Sequence, residues 1–264
     1  MKQKRFYYVI RLEYLGFRYS GWQKQPGQRT IEGMLLKTLK FILPETRFKI
    51  LGAGRTDAKV SALDAVCELF IDDKPLPDLE EFKNLFNRNL PPDIRITDIY
   101  PTNKDFNIIK DSKSKEYIYL FSFGAKNHPF CAAFLANITV NLNIDLMITA
   151  AKLFEGEHDF SAYTARLQPK TKVIRKIDSC ELIENTFFKA SFFPEKSYAL
   201  KTKGDGFMRY QIRMMMGALI QLGKGELTID EIKVSLKTGY DKKLTFVAPG
   251  SGLLLNQVNF RKDA

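Results

Sequence analysis

The chain has 264 residues, 45% hydrophobic and 27% charged, enough for a sizeable core in one large domain or two modest halves. Lys+Arg 41 against Asp+Glu 30 leaves a net charge of +11, and with 12% aromatics this points to a polyanion, nucleic acid first and an anionic membrane surface second. Three scattered cysteines without CxxC spacing and only two histidines argue against a disulfide framework or a zinc site and fit a reducing cytosol.

Residues 1–5 lead into a strand rather than a signal peptide, and no apolar run approaches a membrane span. Residues 6–14 alternate, with Phe6, Tyr8, Ile10, Leu12 and Tyr14 on one face. A loop over 16–27 precedes Thr30, an N-cap for a helix carrying Ile31, Met34, Leu35, Leu39 and Ile42 until Pro44. Strands at 47–51 and 65–71 flank a glycine-rich turn. A helix from Asp78 buries Phe82, Leu85 and Phe86 and ends before Pro91, and a strand follows at 94–100.

The second half repeats the mixture. A strand at 115–123 puts Tyr117, Tyr119, Phe121 and Phe123 on one face, and Asn143 caps a helix running to Phe154. Strands are expected at 172–184, 186–193 and 197–203, with Glu184 and Asn185 turning between the first two. A helix over 207–222 closes at Gly223 and contains Met208, Met214, Met215 and Met216, which read as core. Thr228 and Glu231 form a capping box for a helix ending near Gly239, and 253–260 is the last strand. Helices among mostly antiparallel strands in two similar halves imply an α+β fold with lobes at 1–104 and 105–264.

The chemistry centres on Gly52-Ala53-Gly54-Arg55-Thr56-Asp57-Ala58. An Asp beside small residues at a strand end can stand at the lip of a cleft, and the glycines allow close backbone approach. Arg55, two residues earlier, can keep that carboxylate ionised; an Asp in such a turn also serves as an Asx-turn or cap. GxxxxGK[ST], HExxH and GxSxG are absent, and Gly223 to Gly225 follows a helix as a C-cap would. The densest basic stretch is Arg166, Lys170, Lys172, Arg175 and Lys176, either a solvated face or a track for phosphates.

In order along the chain, these segments resemble the TruA-type tRNA pseudouridine synthases. Gly54-Arg55-Thr56-Asp57-Ala58 matches the start of that family's GRTDAGVHA, and Tyr19-Ser20-Gly21-Trp22-Gln23-Lys24-Gln25 its Y-x-G-W-Q-R-Q. The stretch 87–94 resembles N-x-N-L-P-x-D-I, 156–160 resembles G-x-H-D-F, 207–217 resembles F-x-x-x-M-V-R-N-x-x-G, and 248–255 resembles A-P-x-x-G-L-x-L. The resemblance implies two ferredoxin-like (RRM-like) lobes with mainly antiparallel sheets meeting at a basic central cleft. It implies a homodimer, cytoplasmic, acting on the anticodon stem-loop of tRNA without metal or organic cofactor.

It also implies roles. Asp57 is the catalytic carboxylate, attacking either the ribose or the base. Arg213 pairs with Asp57, Arg55 contacts RNA or supports the loop, and Tyr117 holds the flipped base. By pattern alone Tyr117 is as suited to a core and Arg213 to a helix surface. Two departures stand out: Lys59-Val60-Ser61 replaces Gly-Val-His, and Phe106-Asn107-Ile108-Ile109 replaces F-H-A-R, whose arginine helps bind or flip the nucleotide. Lys59 or Lys110 would supply the replacement charge, although a lysine lacks the arginine fork. Lys115 is the next basic position, and Arg166, Lys170 and Lys172 would contact tRNA phosphates. The competing reading is an RNA-binding paralogue of the same fold with weak or no turnover, acting as a chaperone or on another RNA.

Overall fold

The computed structural model describes residues 4–165, 167, 170–242 and 244–261. The chain forms two compact units: one runs to Lys113 and takes the closing residues from Leu255, and the other is Ser114–Leu254.

In the first unit, β1 (Arg5–Tyr14) pairs antiparallel with both its neighbours, and its apolar alternation buries Tyr8, Ile10, Leu12 and Tyr14. α1 (Ile31–Ile42) starts where the Thr30 hydroxyl accepts the Gly33 N–H at 3.2 Å, a cap worth about 1 kcal/mol. β2 (Phe48–Gly52) and β3 (Ser61–Asp72) form an antiparallel hairpin. α2 (Leu79–Asn89) is capped by Asp78, whose carboxylate accepts the Glu81 N–H at 2.8 Å. β4 (Ile94–Thr102) returns beside β1, so the order is β4-β1-β3 with β2 also paired to β3. Ile31, Leu35, Leu39, Leu69 and Phe86 form buried parts of its core.

The expected division at 104/105 differs from that at Lys113 for a local reason. After β4 the chain stays tied to the first unit: Ile108 is fully buried, and the Arg261 N–H donates to the Asp111 carbonyl at 2.8 Å. Phe106 also packs edge-on against Phe260, 5.5 Å between centroids.

The second unit begins on β5 (Ser112–Phe123), which pairs in parallel with the short β6 (Ala136–Ile138). α3 (Ile144–Ala151) is capped by Asn143 and followed by a single 3-10 turn to Phe154, as the periodicity predicts. β7 (Gly156–Asp159), β8 (Ile174–Glu184) and β9 (Tyr198–Gly204) complete an antiparallel order β5-β9-β8-β7. α4 (Gln211–Gly223) buries Met214, Met215 and Met216, and α5 (Ile229–Ser235) carries the capping box, Thr228 and Glu231 each bonding the other's backbone N–H. β10 (Leu253–Phe260), which from Leu255 onward belongs to the first unit, lies beside β3 there. Among the described residues, five α-helices interspersed with mostly antiparallel strands agree with the α+β expectation.

Three expectations need correction. Residues 186–193 are not a strand: the Asn185 side chain accepts the Phe188 N–H at 3.0 Å and donates to its carbonyl at 2.8 Å, closing a local loop instead of a ladder. Phe188, Phe192 and Phe193 then pack on Ile118, Leu120, Leu135 and Ala199. The helix expected from 207 starts at Gln211, because Tyr210 has φ 66°, which cannot continue a right-handed turn. Gly223 is inside that helix, its bare Cα facing Met147, while Gly225 at φ 77° takes the left-handed position after it.

Candidate active site

Asp57 lies half-buried in the loop joining β2 to β3, flanked by exposed Arg55 and exposed Lys59. The loop leaves the ladder just after Gly52, where the Ala53 N–H still donates to the Val66 carbonyl at 2.9 Å. It turns back through the Val60 N–H, which donates to the Asp57 carbonyl at 3.2 Å. A segment distant in sequence holds both shoulders of this turn. The Trp22 N–H donates to the Thr56 carbonyl, and the Lys59 N–H donates to the Tyr19 carbonyl, each at 3.0 Å. The Thr56 hydroxyl meets the Tyr14 hydroxyl at 2.8 Å. Thus the Tyr19 to Trp22 stretch, which the sequence marks only as a motif, forms the seat of the Asp57 turn.

Close approach explains the glycines. Gly21 has φ 102°, and a Cβ there would lie 2.7 Å from the Thr56 carbonyl oxygen. At Gly52 a Cβ would strike the Trp22 indole at 2.8 Å. The two departures near Asp57 also find places. Lys59 has φ 66°, a left-handed position that suits the glycine of the family pattern and strains a lysine by roughly 1–2 kcal/mol. Its ammonium lies 5.6 Å from the Phe17 ring centroid, a cation–π contact. Ser61, in place of histidine, is buried and its hydroxyl accepts the Gly16 N–H at 2.9 Å, so here that position serves packing.

Lys110 is exposed in a separate loop of the same unit. The Asn107 side-chain oxygen accepts the N–H groups of Ile109 and Lys110, fixing an Asx-type turn that presents Ile109 at 57% exposure. An aliphatic side chain therefore meets solvent where the family pattern has arginine.

The remaining candidates belong to the second unit. Tyr117 and Lys115 lie two residues apart on β5, on one face by strand periodicity, and both are half-buried. The Tyr117 ring meets Phe207 edge-on with centroids 5.3 Å apart, so the phenylalanine opening the 207–217 motif supports the tyrosine. Opposite Lys115 on β9 is Gly204, which contributes no side chain. Burial pushes the Lys115 ammonium below its ordinary pKa.

Arg213 is on the first turn of α4, its Nε donating to the Ala248 carbonyl at 2.7 Å. The Ala248 N–H in turn donates to the Arg213 carbonyl at 3.1 Å, and the guanidinium lies 4.8 Å from the Tyr210 ring centroid. Two further residues hold the neighbouring segment: the Tyr119 hydroxyl donates to the Pro249 carbonyl at 2.8 Å, and Gly217 of the 207–217 motif faces the Phe246 carbonyl with no room for a Cβ. Tyr210 and the start of the 248–255 motif position Arg213, and Tyr119, which the sequence marks only as a strand-face residue, holds that motif at Pro249. Lys170 and Lys172 precede β8 and both are exposed, and Arg166 lies outside the described residues. Among the described residues no group of three His, Cys, Asp or Glu is placed to hold a metal ion.

A tRNA pseudouridine synthase family model matches residues 150–261. The tRNA pseudouridine synthase A of Bacillus sp. (strain KSM-64) is 32% identical over 254 residues, 96% of this chain and 99% of that protein. The chain belongs to the tRNA pseudouridine synthase A family. The tRNA pseudouridine synthase A 2 of Bacillus anthracis is 30% identical with the same coverage. The tRNA pseudouridine synthase A of Thermodesulfovibrio yellowstonii is 32% identical, covering 94% of this chain and 96% of that protein. Set against the family's pattern, Gln211 stands where a methionine precedes the arginine: it is buried, and its Oε1 accepts the Met208 N–H at 2.9 Å. Among the described residues no helix is long and apolar enough to cross a membrane.

Proposed function

We propose that this protein converts uridine to pseudouridine in the anticodon stem-loop of tRNA, with Asp57 as the attacking carboxylate. The observation that carries the reading is the Asp57 turn, held on both shoulders by Tyr19 and Trp22 of a second family motif. The reaction breaks the bond between uracil N1 and ribose C1′ and forms one between C5 and C1′. The C5 proton is released and N1 gains one, so atoms balance with no redox step and no cofactor. Asp57 attacks either the ribose or the base; in both routes it must be ionised, and Arg213 is its proposed partner against desolvation.

Tyr117 supplies the ring against which the flipped uracil is held, steadied by Phe207. Arg55 and Lys59, beside Asp57, and Lys110 are proposed contacts to RNA, and Arg166, Lys170 and Lys172 contacts to its phosphates. Lys115 fits the same role: an ammonium taken partly out of water gains from a phosphate. The proposal includes the ferredoxin-like lobes and basic cleft of the family resemblance, a homodimer, and a cytoplasmic location.

Asp57→Asn tests the reading. Pseudouridine formation on a tRNA transcript, followed by tritium release from C5-labelled uridine, should fall by several orders of magnitude. tRNA affinity should persist, because phosphate contacts lie on other side chains. Near-normal turnover would remove Asp57 from the mechanism.

A further inference from the structure

Three family-like motifs meet at Tyr19, although the reaction uses none of the side chains that join them there. The Tyr19 hydroxyl donates to Asp93 Oδ1 at 2.6 Å, joining the Tyr19 to Gln25 stretch to the Asp93 of the third motif. Arg29 donates to the Tyr19 hydroxyl at 3.2 Å, lies 4.9 Å from the Tyr19 ring centroid, and approaches Asp93 Oδ1 at 3.6 Å. Tyr19 is 3% exposed. Burial, with the Asp93 hydrogen bond, pushes its phenol up to about 12, so it remains a donor throughout the range in which tRNA is stable.

What makes this cluster more than packing is where the Tyr19 backbone goes. Its carbonyl accepts the Lys59 N–H at 3.0 Å, two residues beyond Asp57. Three residues on, the Trp22 N–H donates to the Thr56 carbonyl at 3.0 Å, one residue before Asp57. Gly21, between them, touches the Thr56 to Ala58 backbone with no space for a Cβ. The same segment is tied to α1, with the Gly21 and Trp22 carbonyls accepting the Ile31 and Glu32 N–H groups at 3.1 and 3.0 Å. The Leu15 N–H also donates to the Asp93 carbonyl at 3.0 Å. A shift of the Tyr19 side chain is therefore passed to the turn on which Asp57 stands.

We propose that Tyr19 and Asp93, with Arg29 over them, are positioning residues that fix the Asp57 turn in its reactive register. This rests on Asp57 being the attacking group. None of the three touches the reacting atoms, so their effect falls on the chemical step and not on RNA affinity. A misplacement of about 1 Å in a nucleophile costs on the order of 100-fold in rate.

The test uses Tyr19→Phe, Asp93→Asn and the more exposed Arg29→Ala, with Asp57→Asn in parallel. Single-turnover rate and tRNA Kd are measured separately. The one tryptophan of the chain, Trp22, reports the geometry, because its backbone bonds Thr56 and its ring faces Gly52. Tyr19→Phe should cut the single-turnover rate roughly 10- to 100-fold with Kd within about twofold, and shift the Trp22 emission. Asp93→Asn should follow Tyr19→Phe in both rate and emission. Arg29→Ala should give a smaller loss in the same direction, and Arg29→Lys should recover only part of it. If Tyr19→Phe and Arg29→Ala keep the wild-type rate while Asp57→Asn is inactive, the positioning role is wrong and Asp57 stands. A rate loss accompanied by an equal loss of affinity and no change in Trp22 emission would also overturn it. Turnover by Asp57→Asn would instead remove the premise. Should Tyr19→Phe fail to fold, Arg29→Ala, whose side chain is 38% exposed, decides the matter alone.

Discussion

Replacing Gly21 with alanine tests the link between motif and site most directly. The glycine sits at φ 102°, and an added Cβ would meet the Thr56 carbonyl oxygen at 2.7 Å, the Asp57 carbonyl carbon at 3.1 Å and the Ala58 nitrogen at 3.2 Å. All three are backbone atoms, so no rotamer change relieves the clash. The dihedral strain costs roughly 1–2 kcal/mol and the overpacking roughly 1–3 kcal/mol. A combined loss of about 2–5 kcal/mol lowers Tm by roughly 4–20 °C at about 2–4 °C per kcal/mol. The turn can absorb part of this by moving, in which case stability is spared and the Asp57 geometry suffers. Thermal melting and single-turnover pseudouridine formation should therefore be measured together. The alanine variant is expected to lose in at least one of them. Wild-type Tm together with wild-type rate would refute the claim that Gly21 is pressed against the catalytic turn.

Glu68 is 3% exposed in β3, and burial raises its carboxyl above the ordinary carboxylate range. A group protonated more readily when folded costs stability above its folded pKa and nothing below its unfolded value near about 4.3. Glu68→Gln should thus raise Tm at about pH 7, with the gain vanishing as pH falls to about 4; an equal gain at both pH values would contradict the burial account. Neutralising Arg166, Lys170 and Lys172 together should weaken tRNA binding and flatten the log–log salt slope by about 0.7–0.9 for each phosphate no longer neutralised; an unchanged slope would make this stretch a solvated face. Ile109→Arg should fold normally, since Ile109 is 57% exposed, and should raise the rate on a stem uridine more than on a loop uridine. Equal rates on matched loop and stem substrates in the unaltered protein would show that a lysine already supplies the missing charge.

By itself the sequence determined the elements whose signals are local. The Thr30, Asp78 and Asn143 caps and the Thr228 capping box all form, because a side-chain oxygen three residues before a free N–H needs no distant partner. Strand periodicity marked the buried face of β1 for the same reason, whereas β5 is buried on both faces from Ile118 to Ser122, and the ordered motifs were enough to identify the family. The 186–193 segment was not legible, since the Asn185 side chain competes with ladder bonding and a run of phenylalanines satisfies either outcome. Nor was the start of α4, which depends on one left-handed residue, Tyr210, that its sequence does not announce. Only the tertiary structure revealed why the Tyr19 to Trp22 motif exists. Its bonds to Thr56 and Lys59 join segments far apart along the chain, and no periodicity or propensity encodes a hydrogen bond between two loops. The same holds for Ser61, whose replacement of a histidine became intelligible only once its hydroxyl was found on the Gly16 N–H. Local backbone rules are written residue by residue, whereas the placement of a carboxylate is settled by which distant backbones come close enough to bond.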